Sequence, residues 1–511
     1  MRSTFMGLET SKRGLQTQQS ALYTTGHNID NANTLGYTRQ RVNMRATAGF
    51  PGVGLNAGTM PGFLGTGVEA GSIQRIRDSF VDQQYRGETN RLGYWDARSK
   101  SIGQIEDIMN EPSEYGLQKS LSQFWGSLQD LATHPENGGT RKVVVERGIA
   151  VADSFNEMSS SLNKLKEGTK QEFDIAEKDI NSILKQIAGL NQQISSIEPN
   201  GYVPNDLYDA RDVLIDQLAT YLPIEVKNVP SGGNASKVAE GSVTIILKSN
   251  KDKELLIVEG ANAADMTVNF NGTGDQQTFK SISFPAIDTN GQAINYELTP
   301  SDMKDTGIIK SLVNTFGYQS GEGTKGLLPE MIGKIDRMAA EFVKAFNKVH
   351  KEGFGIGDNT NTTNTAFFKE VPSGIKAGNM KVSDAIIQDS SLIAASSRAD
   401  EEGNGDNAKK LGNIQFSKDV DLDGATIQTY FQGIIGQLGV DGEQAAKMQF
   451  NSETLLKSVE NRRASISSVS LDEEMTDMIK FQQAYNASAR MITVVDETLD
   501  KIINGMGVVG R

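Results

Sequence analysis

The side chains that most often carry enzymatic chemistry are scarce in this sequence. Its 511 residues include three histidines and no cysteine. His27, His134 and His350 fall in different predicted elements and show no H-E-x-x-H spacing, so we expect structural roles for them. Without cysteine, the chain offers no thiol nucleophile, no cysteine-type zinc site and no iron–sulfur cluster.

Two short motifs resemble ligand-binding loops but lack the required context. Residues 419–424 carry carboxylates and a glycine in the order of the first half of a calcium loop. The position that should supply a bidentate glutamate is Tyr430, so we interpret this run as an acidic turn. Residues 65–70 resemble a dinucleotide-binding fingerprint, but they do not lie between a predicted strand and a predicted helix. We therefore predict a loop there. We therefore expect no enzyme, no cofactor and no metal site.

Charge and hydropathy narrow the possible partners further. The net charge is −13, and no basic stripe or tail is present, so neither nucleic acid nor an anionic membrane surface is an expected partner. The longest apolar runs, 243–247 and 255–258, are far too short to cross a bilayer. The first residues lack an apolar h-region, so we expect no cleavable secretory signal. The absence of cysteine fits either a cytoplasmic or an oxidising exterior location.

The most regular pattern lies near the end of the sequence. A capping box of Ser470 and Glu473 predicts the start of a helix, and Gly505 and Gly507 predict its end. Steps of four and three predict an a/d seam of Leu471, Met475, Met478, Gln482, Tyr485, Ala489, Ile492, Asp496, Leu499, Ile503 and Met506. A helix with one apolar stripe needs a partner, and the two polar members of this seam could fix its register.

The first residues predict a second amphipathic helix, over 5–33. A heptad line of large apolar residues runs beside a line of small ones: Leu8, Leu15, Leu22 and Ile29, and Gly7, Gly14, Ala21 and Asn28. Because glycine inside a helix costs about 1 kcal/mol relative to alanine, its recurrence indicates that another backbone comes close. A surface helix on a globular core would also explain this segment. The matching stretch near the other end favours pairing of the two helices with each other and with copies of the chain.

The middle of the chain predicts a helical body with a β insertion. Helical spacing covers 102–109, 117–133, 141–165, 173–197, 205–222, 327–349 and 426–466. Between 224 and 305, alternation such as Met266, Val268 and Phe270 predicts strands. Residues 379–416 are ambiguous between strand and helix. We expect a mainly α fold with an inserted β domain, formed by terminal coiled-coil helices and a helical bundle domain that is discontinuous in sequence.

A long motif follows the first helix. Residues 28–41 read Asn-Ile-Asp-Asn-Ala-Asn-Thr-Leu-Gly-Tyr-Thr-Arg-Gln-Arg, which predicts a sharp helix exit. The run resembles the signature S-x-N-I-A-N-A-N-T-P-G-Y of flagellar rod, hook and hook-associated proteins. Asp30 replaces the usual alanine and Leu35 the usual proline. The motif retains Asn31, Asn33, Gly36 and Tyr37.

Further phrases are similar to the hook-associated members of this family rather than to the hook protein. They lie at residues 108–112, 131–135, 205–212, 469–475 and 481–485, and Ser468 stands where glycine is usual. The resemblance is densest over 1–45, 100–222, 325–368 and 440–511.

The resemblance implies a structural axial protein of the bacterial flagellum that joins the hook to the filament. Implied partners are copies of the chain in a ring, the hook protein on one side, a second hook-associated protein on the filament side, and an export chaperone at the last helix. The implied location is extracellular, after export by the flagellar type III apparatus. Implied domains are an inner coiled-coil domain of 1–45 and 467–511, a helical middle domain of 46–223 and 306–466, and an outer β domain of 224–305.

The expected assembly interface combines the two heptad lines with the motif. Its members are Leu8, Leu15, Leu22, Ile29, Asn31, Asn33, Gly36, Tyr37, Met475, Met478, Gln482, Tyr485, Ile492, Leu499 and Ile503. Three alternatives stay open from the sequence: a hook or rod subunit of the same superfamily, an enzyme carried in 224–305, and a surface adhesin whose β domain binds a host ligand.

Overall fold

The computed structural model describes residues 5–50, 65–109, 116–250, 255–287, 293–321, 323–357, 365–372, 374–418 and 421–505. The predicted seam member Met506 and the first two positions of the calcium-like run lie outside these ranges. In chain order the elements are α1 (Met6–Asp30), β1 (Gln40–Ala46), β2 (Val68–Arg75), α2 (Ser79–Met109), α3 (Leu117–Thr133), α4 (Gly138–Ile197), α5 (Asn205–Tyr221), β3 (Ile224–Val229), β4 (Ser242–Leu247), β5 (Leu255–Glu259), β6 (Asn262–Ala263), β7 (Thr267–Asn271), β8 (Thr278–Ile287), β9 (Ala293–Leu298), α6 (Ile308–Phe316), β10 (Tyr318–Ser320), β11 (Gly323–Lys325), α7 (Leu327–Lys351), α8 (Asp384–Gln388), α9 (Asp406–Asn413), α10 (Ile427–Ser467) and α11 (Leu471–Gly505).

The first and last helices pack against each other in antiparallel orientation. A Cβ placed on Gly7 would lie 3.5 Å from Val495, and one placed on Gly14 would lie 3.3 Å from Ser488. As residue numbers rise along α1, those of its α11 neighbours fall. The recurring glycines therefore mark a close approach of a second helix, as their spacing predicted. The expected capping contact of Glu473 is replaced by a hydrogen bond from Arg39 to its carboxylate.

A two-stranded ribbon lies along α1. Strands β1 and β2 pair antiparallel, from Gln40 opposite Arg75 to Ala46 opposite Val68. The Thr17 hydroxyl of α1 donates to the Val68 carbonyl at 3.1 Å. The prediction of a loop over 65–70 was wrong from Val68 onward, where β2 begins. Its polar sequence lacks the apolar alternation by which strands are recognised.

The helical body has a core rich in phenylalanine. The ring of Phe124 in α3 lies within 6.3 Å, centroid to centroid, of Phe342, Phe346, Phe367 and Phe368. Helix α2 begins at Ser79, well before the predicted start at 102. Its first half buries polar side chains, so its sequence shows little apolar periodicity.

One helix passes through two cores. Helix α4 runs for 60 residues, whereas the sequence predicted separate helices over 141–165 and 173–197. Between the two apolar stretches it buries the polar residues Lys166 and Thr169, which hid its continuity. Phe155 lies in the first core and Phe173 in the second.

Strands β3 to β9 build the second core together with α4, α5 and α6. One sheet has the order β3-β4-β5-β6, and the other has β11-β10-β8-β7 with β9 also paired to β8. Strands β10 and β11 follow residue 305, so the sheet continues beyond the predicted β region. Side-chain amides of α4 bind the backbone of the β region: Asn191 donates to the carbonyl of Val243 in β4 at 2.9 Å, and Asn181 to the carbonyl of Met266, just before β7, at 2.8 Å.

The ambiguous stretch 379–416 forms short helices and irregular chain held by two buried side chains. The Arg141 guanidinium donates to the carbonyls of Pro135 and Ile393, each at 2.7 Å. The His350 ring accepts from the Ala394 N–H at 3.0 Å. No helix among the described residues combines the length and apolarity that a membrane span requires.

Candidate assembly interface

The face of α11 that packs on α1 follows a heptad. Most of its buried and half-buried residues recur in steps of four and three: Glu474, Met478, Phe481, Tyr485, Ser488, Ile492, Val495 and Leu499. Three residues beside this series are also half-buried: Asp477, Ala484 and Ala489. This is the pattern of an antiparallel two-helix coiled coil.

One of the two columns of the predicted seam packs on α1 in the single chain. Met478, Tyr485, Ile492 and Leu499 lie on the packed face, as expected. Gln482, however, is exposed, and the second column is formed by residues one position earlier, such as Phe481. Asp496 is likewise exposed, with Val495 in its place. Positions 478, 485, 492 and 499 belong to both the predicted and the observed 4/3 series. Between them, the apolar residues Phe481 and Val495 face α1 in place of the polar residues Gln482 and Asp496.

Many apolar side chains of α11 stay exposed in the single chain. We call them the exposed apolar set: Leu471, Met475, Ile479, Met491, Val494, Ile502 and Ile503, which are 45–67% exposed. Tyr23 of α1 is 75% exposed. So many large apolar groups along one helix pair are typical of a surface that another chain covers.

In the second half of α1, the small residues of the heptad line are buried more deeply than the large ones. Ala21 and Asn28 are each 1% exposed. The four large members of the predicted interface are half-buried: Leu8, Leu15, Leu22 and Ile29. The large residues therefore keep part of their apolar surface exposed in the single chain.

The motif after α1 turns the chain from helix into strand. The Asn28 amide donates to the Gln40 carbonyl at 2.9 Å and accepts from the Gln40 N–H at 3.0 Å, while the Tyr37 hydroxyl donates to the same amide oxygen at 2.8 Å. The Asn31 amide donates to the carbonyl four residues earlier at 3.0 Å, and Asn33 is exposed. Asn28 therefore ties the last turn of α1 to the first residue of β1.

The same motif also packs on α5. Gly36 has φ +81°, and a Cβ there would collide with Val213. The backbone N–H of Thr38 donates to Asp209 at 3.0 Å, and Asn205 donates to the Gln40 side chain at 3.0 Å. Residues 28–40 and 205–216, which we call the joint, thus bring together two of the stretches that carried the family resemblance. No pattern in the sequence indicated that they touch.

A buried cluster of arginines and carboxylates supports the joint. Arg75 of β2 lies 2.7 Å from Asp209, 2.9 Å from Asp212 and 2.5 Å from Glu240. Further pairs join α2, α5 and α10: Arg77 with Asp82 and Asp212, Arg86 with Asp212 and Asp216, and Arg463 with Asp82 and Asp216.

The charges of this cluster are mutually stabilised. Burial opposes ionisation of Asp212, but Arg77, Arg75 and Arg86 hold its pKa well below the usual range. Removing one member leaves another charge buried without its partner, which costs about 3–5 kcal/mol. The cluster therefore fixes the positions of β2, α2, α5 and α10 relative to one another. Its arginines are paired with carboxylates.

The residues first considered for chemistry have structural contacts. Asp423 of the calcium-like run pairs with Arg337 at 3.0 Å. The His27 ring lies 2.9 Å from the Tyr37 hydroxyl, and the His134 ring lies 2.9 Å from the Thr133 hydroxyl. Within the described residues, no group of three or more histidine or acidic side chains is arranged to hold a metal ion.

Comparison with known proteins agrees with this architecture. The family described as the flagellar hook-associated protein FlgK helical domain matches residues 102–368, and the flagellar basal body rod FlgEFG protein C-terminal family matches 462–505. The chain is 42% identical to flagellar hook-associated protein 1 of Bacillus subtilis strain 168 over 522 residues, covering 100% of both chains. It is 25% identical to flagellar hook-associated protein 1 of Escherichia coli K12, covering 97% of this chain and 99% of that protein.

A solved structure shares the fold. The flagellar hook junction protein FlgK from Burkholderia pseudomallei aligns with a TM-score of 0.57 at 12% identity, covering 75% of this chain and 100% of that one. With the full-length relative at 42% identity, the matches place this chain in the flagellar hook-associated protein 1 family.

Proposed function

We propose that this protein joins the hook of the bacterial flagellum to its filament and assembles through its first and last helices. The observation that carries the proposal is the exposed apolar set on α11, which the pairing with α1 leaves uncovered. Full-length similarity to hook-associated proteins supports the part of this proposal that concerns binding to the hook. The similarity also disfavours a hook or rod subunit, an enzyme or an adhesin.

The mechanism is mechanical. In a free subunit, α1 packs on α11 and on the β1–β2 ribbon, while α11 packs mainly on α1. Helices with so few partners are marginal in water. Neighbouring copies cover the exposed apolar set, and this burial supplies the free energy that orders both helices. Folding of this pair is thereby coupled to incorporation, which keeps free subunits from polymerising early.

The partners follow from this arrangement. Copies of the chain form a ring, the hook protein contacts one side, and a second hook-associated protein contacts the filament side. An export chaperone covers α11 beforehand, because the same apolar side chains need shielding. The protein acts outside the cell, in the flagellum, and it has neither nucleic acid nor a membrane as a partner.

Domain roles complete the proposal. Residues 1–45 and 467–511 form the inner part, 46–223 and 306–466 the helical middle, and 224–305 the outer β part. The support for an inner pair is its apolar surface, which only neighbouring chains would cover.

The test replaces exposed apolar side chains without disturbing the α1–α11 contact. In the double variant Met475→Ser, Ile479→Ser, cells should make hooks but shed filament protein into the medium. Electron microscopy of the cells and immunoblots of the medium measure this. Val440→Ser, a 59% exposed apolar residue of α10, is the matched control and should leave filaments attached. Deletion of 471–511 should reproduce the first phenotype, and normal filaments in both variants would contradict the proposal.

A further inference from the structure

Arg39 lies where three segments of the chain meet. Its backbone N–H donates to the carbonyl of Ser467, the last residue of α10, at 2.9 Å. Its own carbonyl accepts from the N–H of Ile76, just after β2, at 2.8 Å. Residue 39 therefore has a fixed backbone position relative to the helical body.

The Arg39 side chain reaches from that fixed position to the first turns of α11. Its Nε donates to Glu474 at 2.7 Å, and its Nη1 donates to Glu473 at 2.5 Å. Its Nη2 lies 4.0 Å from Asp477. One guanidinium thus holds three carboxylates on consecutive turns of the same helix.

The two glutamates differ in exposure. The side chain of Glu474 is 3% exposed, whereas that of Glu473 is 63% exposed. A buried carboxylate that loses its arginine is left without a compensating charge, but an exposed one is solvated by water. The contact with Glu474 is therefore the more costly of the two to break.

The connection between the last two helices makes this contact important. Only residues 468–470 link α10 to α11, and Ser468 has an extended backbone with φ −77° and ψ 158°. Such a short non-helical link permits several helix directions unless a side chain selects one. Neighbouring residues bind other elements, since Thr38 binds α5 and Gln40 binds α1.

We propose that Arg39 is a positioning residue that sets the direction of α11 relative to the helical body. The part of this inference that concerns assembly rests on the proposed function. The part that concerns the direction of α11 does not. Arg39 acts by fixing the first turns of the helix, and the exposed apolar set is then presented at one angle to the neighbouring subunits.

Hydrogen exchange of the purified chain tests the contact directly. In Arg39→Gln, amides of 474–480 should exchange roughly tenfold faster than in the unaltered chain, because exchange reports local opening. Arg45→Gln removes an arginine whose pair with Glu69 is exposed, and it should leave these amides unchanged. Amides of α7 should be unaffected in both variants. Equal exchange of 474–480 in Arg39→Gln and in the unaltered chain would overturn the inference.

The adjacent glutamates supply a second, independent comparison. Glu474→Gln should reproduce the accelerated exchange, and Glu473→Gln should change it little. Arg39→Lys keeps the charge but not the planar fork, so it should give an intermediate rate. Equal effects of the two glutamate variants would contradict a role based on the buried contact.

Filament attachment tests the role of Arg39 in assembly separately from its role in positioning α11. Arg39→Gln cells should shed filament protein, whereas Arg45→Gln cells should not. Faster exchange combined with attached filaments would uphold the positioning of α11 and overturn its role in assembly. Unchanged exchange combined with shed filaments would overturn the positioning role and leave the proposed function standing.

Discussion

Gly36 shows at the scale of one residue how the joint depends on side-chain size. Its φ of +81° lies in the left-handed region, and its Cα faces Val213 of α5 without room for a methyl group. Both properties act together, because the turn directs the chain onto α5 and the missing side chain lets it approach. The motif identified this glycine, but the sequence could not identify Val213 as its neighbour.

Gly36→Ala should destabilise the chain by about 1–3 kcal/mol, from the strained backbone and the clash with Val213. Urea unfolding measures this as a lower midpoint. Gly26→Ala is the matched control, since a Cβ at Gly26 in α1 meets nothing within 4 Å. That control should be neutral or stabilising by up to about 1 kcal/mol. Adding Val213→Ala to Gly36→Ala should restore part of the loss, and no recovery would show that the clash is not the cause.

His350 makes stability depend on pH. Burial lowers its pKa to about 4, and its ring accepts a hydrogen bond from Ala394 that requires the neutral form. The unfolded group has a pKa of about 6.5, so stability from the neutral ring is complete above that pH and is lost as pH falls toward 4.

Between pH 7 and pH 5, this residue should account for about 2 kcal/mol of lost unfolding free energy. Urea midpoints at both pH values measure the loss. His350→Gln should flatten the difference, while His134→Gln, at an exposed position, should not. An equal pH dependence in the unaltered chain and in His350→Gln would argue against the prediction.

At the scale of elements, the last helix shows what periodicity can and cannot decide. Its start at Leu471 agrees with the start predicted from Ser470, because a cap and 4/3 apolar spacing are local properties of the sequence. Within the single chain, its second column contacts α1 through Phe481 and not through Gln482, although both positions fit a heptad. Contact of Gln482 with another chain stays a prediction. Packing on α1 selects Phe481.

Phe481→Ala should therefore loosen the α1–α11 pair, whereas Gln482→Ala should not. A half-buried phenylalanine should lose about 2 kcal/mol, roughly half of the 3–5 kcal/mol for a fully buried one. The exposed glutamine should stay within about 0.5 kcal/mol. Hydrogen exchange of the α1 amides measures both effects, and a larger effect of Gln482→Ala would restore the register expected from the sequence.

At the scale of the whole molecule, α4 fixes the relation between the two cores. Phe155 and Phe173 lie in different cores but on one uninterrupted helix. The sequence indicated the helical class and the β insertion correctly, because each has its own local period. It could not indicate that the strands share a core with α4, or that Arg75 binds Asp209, since contacts distant in sequence leave no periodic pattern.

Breaking α4 between the cores should separate them. Gly168→Pro removes a helix hydrogen bond and should cost about 3 kcal/mol. It should also change the small-angle X-ray scattering profile by altering the angle between the cores. Gly168→Ala is the matched control, because a Cβ there meets nothing within 4 Å, and it should stabilise the chain. An unchanged scattering profile in Gly168→Pro would show that other contacts hold the cores in place.

The joint also has a consequence for the order of events in the life of a subunit. Thr38 and Asp209 are 171 positions apart, and Arg39 and Glu474 are 435 apart. Contacts between such distant positions form slowly, because long loops must close first. The first helix therefore gains its neighbour α11, and the contact of Arg39 with that helix, only when residues near 474 are present. The α1–α11 pair can therefore form only in a chain that already contains the residues near 474.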